Sequence, residues 1–110
     1  MINSENQVIL SNLLDLLNKN GWVKVPLCSE SMEPTLHKSE IITIKQSKGS
    51  LEKGDIIAYI VDKSHITVHR IMECRNSLSR RLYLTKGDNN KFCDSYLVSD
   101  EIIIGVVEKK

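Results

Sequence analysis

Apolar residues recur at helical spacing near the N-terminus. Ile9, Leu10, Leu13, Leu14, Leu16 and Leu17 predict one amphipathic helix over residues 1–20, with its apolar residues on one face. Ser4 and Gln7 have the spacing of a capping box. Asn20-Gly21 ends the helix, with Gly21 suited to a left-handed cap. Such a face ordinarily packs on its own domain. A membrane-surface or partner-binding helix is the alternative, but Asn12, Asp15 and Asn18 bring little positive charge to the polar side.

From Trp22 onward the pattern becomes strand-like. Residues 22–27, 40–44, 55–61, 65–74, 82–85 and 101–107 predict short strands. Asp62-Lys63-Ser64 reads as the turn between the two longer runs. Gly49, Gly54 and Gly87, with Asn89-Asn90, punctuate the rest. Residues 75–80 read as a polar, mobile hairpin tip. One helix followed by many short strands predicts a mainly β domain. That domain comprises residues 1–110, with the helix at 1–20 and the β core at 22–108.

Composition narrows the class. Hydrophobic residues make up 41% and charged residues 26%, which is ordinary for a globular chain. The formal charge of +1 leaves no basic excess to attract nucleic acid. Cys28, Cys74 and Cys93 have no CxxC spacing, so reduced thiols are expected rather than a zinc site. No apolar run has the roughly 18–20 residues of a membrane-spanning helix, and the N-terminus lacks a signal-peptide pattern. The expectation is a soluble, cytoplasmic protein, with peripheral membrane contact left open.

Three segments carry candidate chemistry. The first is Ser29-Glu30-Ser31-Met32-Glu33-Pro34-Thr35-Leu36. Ser31 follows a strand and precedes Pro34, which restricts Glu33. Met32 is apolar among polar neighbours and is expected to turn inward and tether the loop. A tethered hydroxyl is what covalent catalysis needs, although a lone serine is more often a turn residue. The second segment holds His69, which shares a strand face with Thr67 and Ile71, while Val68 and Arg70 share the other. A neutral imidazole there could take and return a proton; taken alone, it reads more readily as a structural histidine held by a backbone carbonyl. His37 and His65 sit in polar surroundings and receive no role.

The third segment is Leu84-Thr85-Lys86-Gly87-Asp88-Asn89-Asn90. A histidine base needs an acidic residue to orient it, and Asp88 and Asp94 are the candidates. Spacing does not choose between them. The Ser31 backbone N–H and the Ser29 hydroxyl are candidate oxyanion donors. There is no phosphate-cradling glycine loop, no HExxH and no stacking platform for nucleic acid. No cofactor is called for.

Together these segments resemble the signal peptidase I/LexA-type (S24/S26) serine peptidase superfamily. The similarity is greatest to the type I signal peptidases of the endoplasmic reticulum, archaea and some Gram-positive bacteria, and it spans residues 25–107. Lys53-Gly54-Asp55-Ile56-Ile57 and Ile104-Gly105-Val106-Val107 resemble further boxes of that family. The resemblance implies Ser31 as nucleophile, His69 where most bacterial members have lysine, and Asp94 as the catalytic aspartate. It implies Asp88 as a second, supporting acid and Ser29 as an oxyanion donor. The implied fold is a coiled antiparallel β domain to which an extended peptide adds as a strand. Small residues are implied before the scissile bond. Glu30 departs from the usual glycine, and Cys93 from an acidic residue. A membrane anchor, usual in the family, is absent from the pattern.

The expected function is a serine endopeptidase that cleaves a leader or signal-like peptide. The alternative is a non-catalytic module on the same fold that presents a peptide to a partner enzyme. A self-cleaving regulator ranks last, because no Ala-Gly cleavage segment precedes Ser31.

Overall fold

A computed structural model describes residues 4–47, 49–62 and 65–108, with side chains inside the helix from residue 10 onward. The side chains of Ser4, Gln7 and Ile9, and the Lys63-Ser64 part of the predicted turn, lie outside the described residues. Helix α1 (Ser4–Asn20) is followed by seven strands: β1 (Trp22–Pro26), β2 (Ile41–Lys45), β3 (Ile56–Tyr59), β4 (Thr67–Ser77), β5 (Arg80–Lys86), β6 (Leu97–Ser99) and β7 (Ile103–Val107). The described helix is not long and apolar enough to cross a membrane.

The strands form one antiparallel sheet in the order β1-β2-β7-β3-β4-β5-β6. The mainly β architecture with one helix is as expected. Register shifts interrupt β3 beside β7 and β4 beside β5. Such bulges add local twist. The sheet is coiled: β1 and β6 stand at opposite ends of the order, yet the segment after β1 touches the segment after β5.

Each face of this coiled sheet buries its own core. Ile42, Ile44, Ile56, Ala58, Val68 and Val107 pack with Leu17 of α1 and with Leu27, Met32 and Leu36. On the other face Ile57, Tyr59, Ile71, Tyr83 and Val98 pack with Leu51. β3 lies between β7 and β4, and all four of its residues are buried. A run without alternation is what two-sided burial requires.

Several boundaries differ from the expectation. The 75–80 segment is mostly strand: β4 and β5 continue their pairing to Ser77 and Arg80, and only Leu78-Ser79 turn. β6 is an additional strand, too short at three residues to show a period. Residues 100–102 form a 3-10 turn rather than the start of the last strand. The helix does not bury one whole apolar face: Leu17 is 2% exposed, but Leu16 is 48% exposed.

Candidate active site

The connection between β1 and β2 carries Ser29 and Ser31. Its anchor is Met32, which is fully buried in the first core, as expected from its polar neighbours. Leu36, also buried, donates its N–H to the Met32 carbonyl over 2.9 Å, and Glu33 donates to the Glu30 carbonyl over 3.1 Å. Burying a Met or Leu side chain contributes about 1.5–3 kcal/mol each, so swinging this turn outward is costly. The Glu33 carboxylate closes the far side by accepting the Lys38 backbone N–H over 3.1 Å.

The connection between β5 and β6 folds over the same turn. The Asn89 side-chain amide donates to the Glu30 carbonyl over 3.2 Å, and its backbone N–H to the Ser31 carbonyl. Asp88 accepts a two-pronged hydrogen bond from Arg70, Nε to Oδ1 at 2.9 Å and Nη2 to Oδ2 at 2.7 Å. The same Oδ2 accepts the Thr35 hydroxyl, while Arg70 Nη1 donates to the Gly54 carbonyl. The guanidinium hydrogen bonds hold the Asp88 carboxyl below the usual carboxylate range. Asp88 therefore clamps the turn that carries Ser31 to β4: it pairs with Arg70, which lies on the opposite pleat from His69.

Asp94 is the aspartate that reaches His69. Its backbone N–H donates to the Thr85 carbonyl over 2.8 Å, which turns its side chain in beside β5. Oδ2 lies 2.7 Å from His69 Nδ1. His69 is buried, and its Nε2 lies 3.3 Å from Ser31 Oγ. An ionised carboxylate only accepts hydrogen bonds, so the contact with Asp94 assigns the Nδ1 position as N–H. In the neutral ring Nε2 is then a lone-pair acceptor directed at the serine hydroxyl.

Two buried residues missed by sequence reasoning complete this centre. Thr85 Oγ1 donates to Asp94 Oδ2 over 2.7 Å, and the Tyr59 hydroxyl donates to the same oxygen over 3.1 Å. The Tyr59 hydroxyl is also 3.3 Å from His69 Nδ1 and 3.0 Å from the Tyr96 hydroxyl. Burial, with the Asp94 charge adding to it, pushes the Tyr59 phenol well above its ordinary value, so it stays protonated and can donate. The available signal was register. The β3–β4 register pairs Tyr59 with Thr67 and Ile57 with His69, which puts Tyr59 on the His69 face.

Ser29 lies at the opposite side of Ser31. Its Oγ is 3.1 Å from Ser31 Oγ and accepts the Ser31 backbone N–H at 3.4 Å. Ser29 and the Ser31 amide thus converge beside the Ser31 hydroxyl. Ser29, Ser31, His69 and Asp94 are brought together; Asp88 stands behind the turn. Among the described residues there is no cluster of side chains suited to holding a metal ion.

An apolar groove of about 400 Å³ opens beside this centre. Leu27 and Cys28, which lead into Ser29, line it together with Ile66 and Val68, which lead into His69. β1 pairs only with β2, and the β4–β5 ladder begins at Arg70. Among the described residues, the outer edge of β1 and the edge of β4 that faces away from β3, from Thr67 to His69, therefore have no strand beside them.

The Peptidase S24-like family matches residues 5–107. The chain is 36% identical to signal peptidase I W of Bacillus subtilis over 83 residues, covering 74% of this chain and 44% of that protein. It is 39% identical to the signal peptidase complex catalytic subunit SEC11 of Eremothecium gossypii over 94 residues, covering 76% and 56% respectively. With SEC11 of Candida tropicalis the identity is 33% over 93 residues, covering 76% and 56%. The chain thus spans about half the length of these relatives. A family match over nearly the whole chain, with signal peptidases among its relatives, shows that the chain belongs to the Peptidase S24-like family, on the endoplasmic-reticulum-type branch of the S24/S26 peptidase superfamily.

Proposed function

We propose that this chain is a serine endopeptidase that cleaves a leader or signal-like peptide, with residues 1–110 acting as one peptidase domain. The observation that carries the reading is His69 bridging Ser31 Oγ at 3.3 Å and Asp94 Oδ2 at 2.7 Å. Ser31 Oγ attacks the scissile carbonyl carbon as its proton passes to His69 Nε2. The new oxyanion is stabilised by the Ser31 N–H and the Ser29 hydroxyl, both of which turn from each other to the substrate oxygen. His69 then protonates the departing amine as the C–N bond breaks. Water, deprotonated by the same nitrogen, hydrolyses the acyl-enzyme and restores Ser31. Asp94 keeps the imidazole in one tautomer and stabilises its protonated form.

The peptide is bound extended, its backbone pairing with the two open strand edges. Its apolar side chains enter the groove beside Cys28. A groove of that size lined by leucine, isoleucine and valine favours small apolar side chains over charged ones.

Cleavage of a synthetic leader-like peptide tests this reading. Ser31→Ala and His69→Ala should each abolish cleavage and leave the circular dichroism spectrum unchanged. Full activity in either variant sinks it. The peptide-presenting alternative predicts binding of the same peptide by wild type with no cleavage.

A further inference from the structure

The role of α1 does not follow from the catalytic centre. Leu10, Leu13 and Leu17 are spaced to form one stripe along the helix. Leu17 is buried in the first core and Leu13 packs against it. The C-terminal end of the helix is fixed: Gly21, at φ +83°, donates its N–H to the Leu17 carbonyl, and Gln46 donates its side-chain amide to Asn18 Oδ1 over 2.9 Å. From this anchored end the stripe runs onto the groove beside Ser31, where Leu10 and Leu13 form part of the lining. They share the lining with Val25, Leu27, Ile66 and Val68.

We infer that Leu10 and Leu13 are specificity-determining residues. They form the wall of α1 that limits the size of the peptide side chain accepted in the groove. The inference rests on the peptidase reading for its substrate, an extended peptide cut at Ser31. Cys28 and Val68 in its lining directly precede Ser29 and His69 in the chain, so the groove lies along the two segments that carry that site. Among the described residues the helix lines the groove with Leu10 and Leu13 alone, so the effect of these two side chains is steric. Shortening a leucine to alanine removes three carbons from the wall and makes room for a correspondingly larger partner. One methylene in an apolar pocket is worth roughly 10–200-fold in discrimination.

The test is a set of peptides in which each of the three residues before the scissile bond is varied through Ala, Val, Leu and Phe. In Leu10→Ala and Leu13→Ala, kcat/KM for the Leu or Phe peptide relative to the Ala peptide should rise about tenfold or more at one position. Leu10→Phe should move the ratio the other way. A merely structural helix would change kcat/KM for every peptide by the same factor, and that result overturns the inference. Binding of the same peptides to Ser31→Ala, with and without Leu10→Ala, reads the wall without chemistry. An affinity order that does not change with residue 10, or no binding of any peptide, also overturns it. Peptides that bind in the altered order but are never cut leave the wall standing and remove the peptidase reading.

Discussion

Asn89 donates its backbone N–H to the carbonyl oxygen of Ser31 over 2.8 Å. That bond joins the segment after β5 to the turn that carries Ser31, and it requires close backbone approach. Gly87 makes the approach feasible. A Cβ at position 87 would lie 2.7 Å from the Ser31 carbonyl oxygen, 2.7 Å from Asn90 Nδ2 and 3.0 Å from Ser31 Cβ. Gly87→Ala must therefore displace the Ser31 backbone. A shift of about 1 Å at a reacting centre costs about 100-fold. The expected outcome is a kcat lowered by roughly that factor, with KM much less changed, in steady-state cleavage of a leader-like peptide.

The two aspartates separate by variant kinetics. Asp94→Asn removes the acceptor that sets the His69 tautomer and should lower kcat by about 10³–10⁴-fold. Asp88→Asn leaves the His69 contacts in place and should cost activity far less, mainly by loosening the Thr35 and Arg70 anchors. Equal losses in the two variants would contradict these separate roles.

The contribution of Asp88 to stability depends on pH. The Asp88 carboxyl is held below its ordinary value by Arg70, so its contribution is fully present above the unfolded-state pKa of about 4 and is lost as pH falls through the lowered folded value. Hydrogen bonds to charged groups contribute about 1.5–3 kcal/mol. Chemical denaturation should show Asp88→Asn destabilised by about that much at pH 7, with the gap to wild type closing below about pH 4.

Tyr59→Phe keeps the ring in the second core and removes one donor from Asp94. A neutral hydrogen bond contributes about 0.5–1.5 kcal/mol, so kcat should fall by about two- to tenfold. Thr85 remains as a donor to the same carboxylate oxygen, which limits the loss. Comparison of Tyr59→Phe with the double variant Tyr59→Phe/Thr85→Val checks this. The double variant should lose more than the product of the single losses, because both hydroxyl donors to Asp94 Oδ2 are then gone.

Much of this was legible in local pattern. The change from helical spacing to alternation at Trp22 marks the switch from α1 to the sheet. Met32 among polar neighbours marks the inward anchor of the turn that carries Ser31. What stayed hidden was long-range. Spacing alone does not separate Asp88 from Asp94; in the fold the pleat does, since Arg70 draws Asp88 to one face while Thr85 holds Asp94 on the face of His69. Tyr59 reads as one more apolar strand residue until the β3–β4 register aligns it with the histidine. Leu16 shows the limit of spacing on the helix, since its position in the pattern matches Leu17 but its side chain is half exposed.

Covalent labelling by a fluorophosphonate, mapped by peptide mass spectrometry, tests the Ser31–His69–Asp94 centre most directly. The reagent reacts with a hydroxyl only when a base activates it. The expected result is a single adduct on Ser31 in the wild-type chain, formed at a rate that drops sharply in His69→Ala and in Asp94→Asn. No adduct on Ser31, or an adduct that forms as fast without His69, would contradict it.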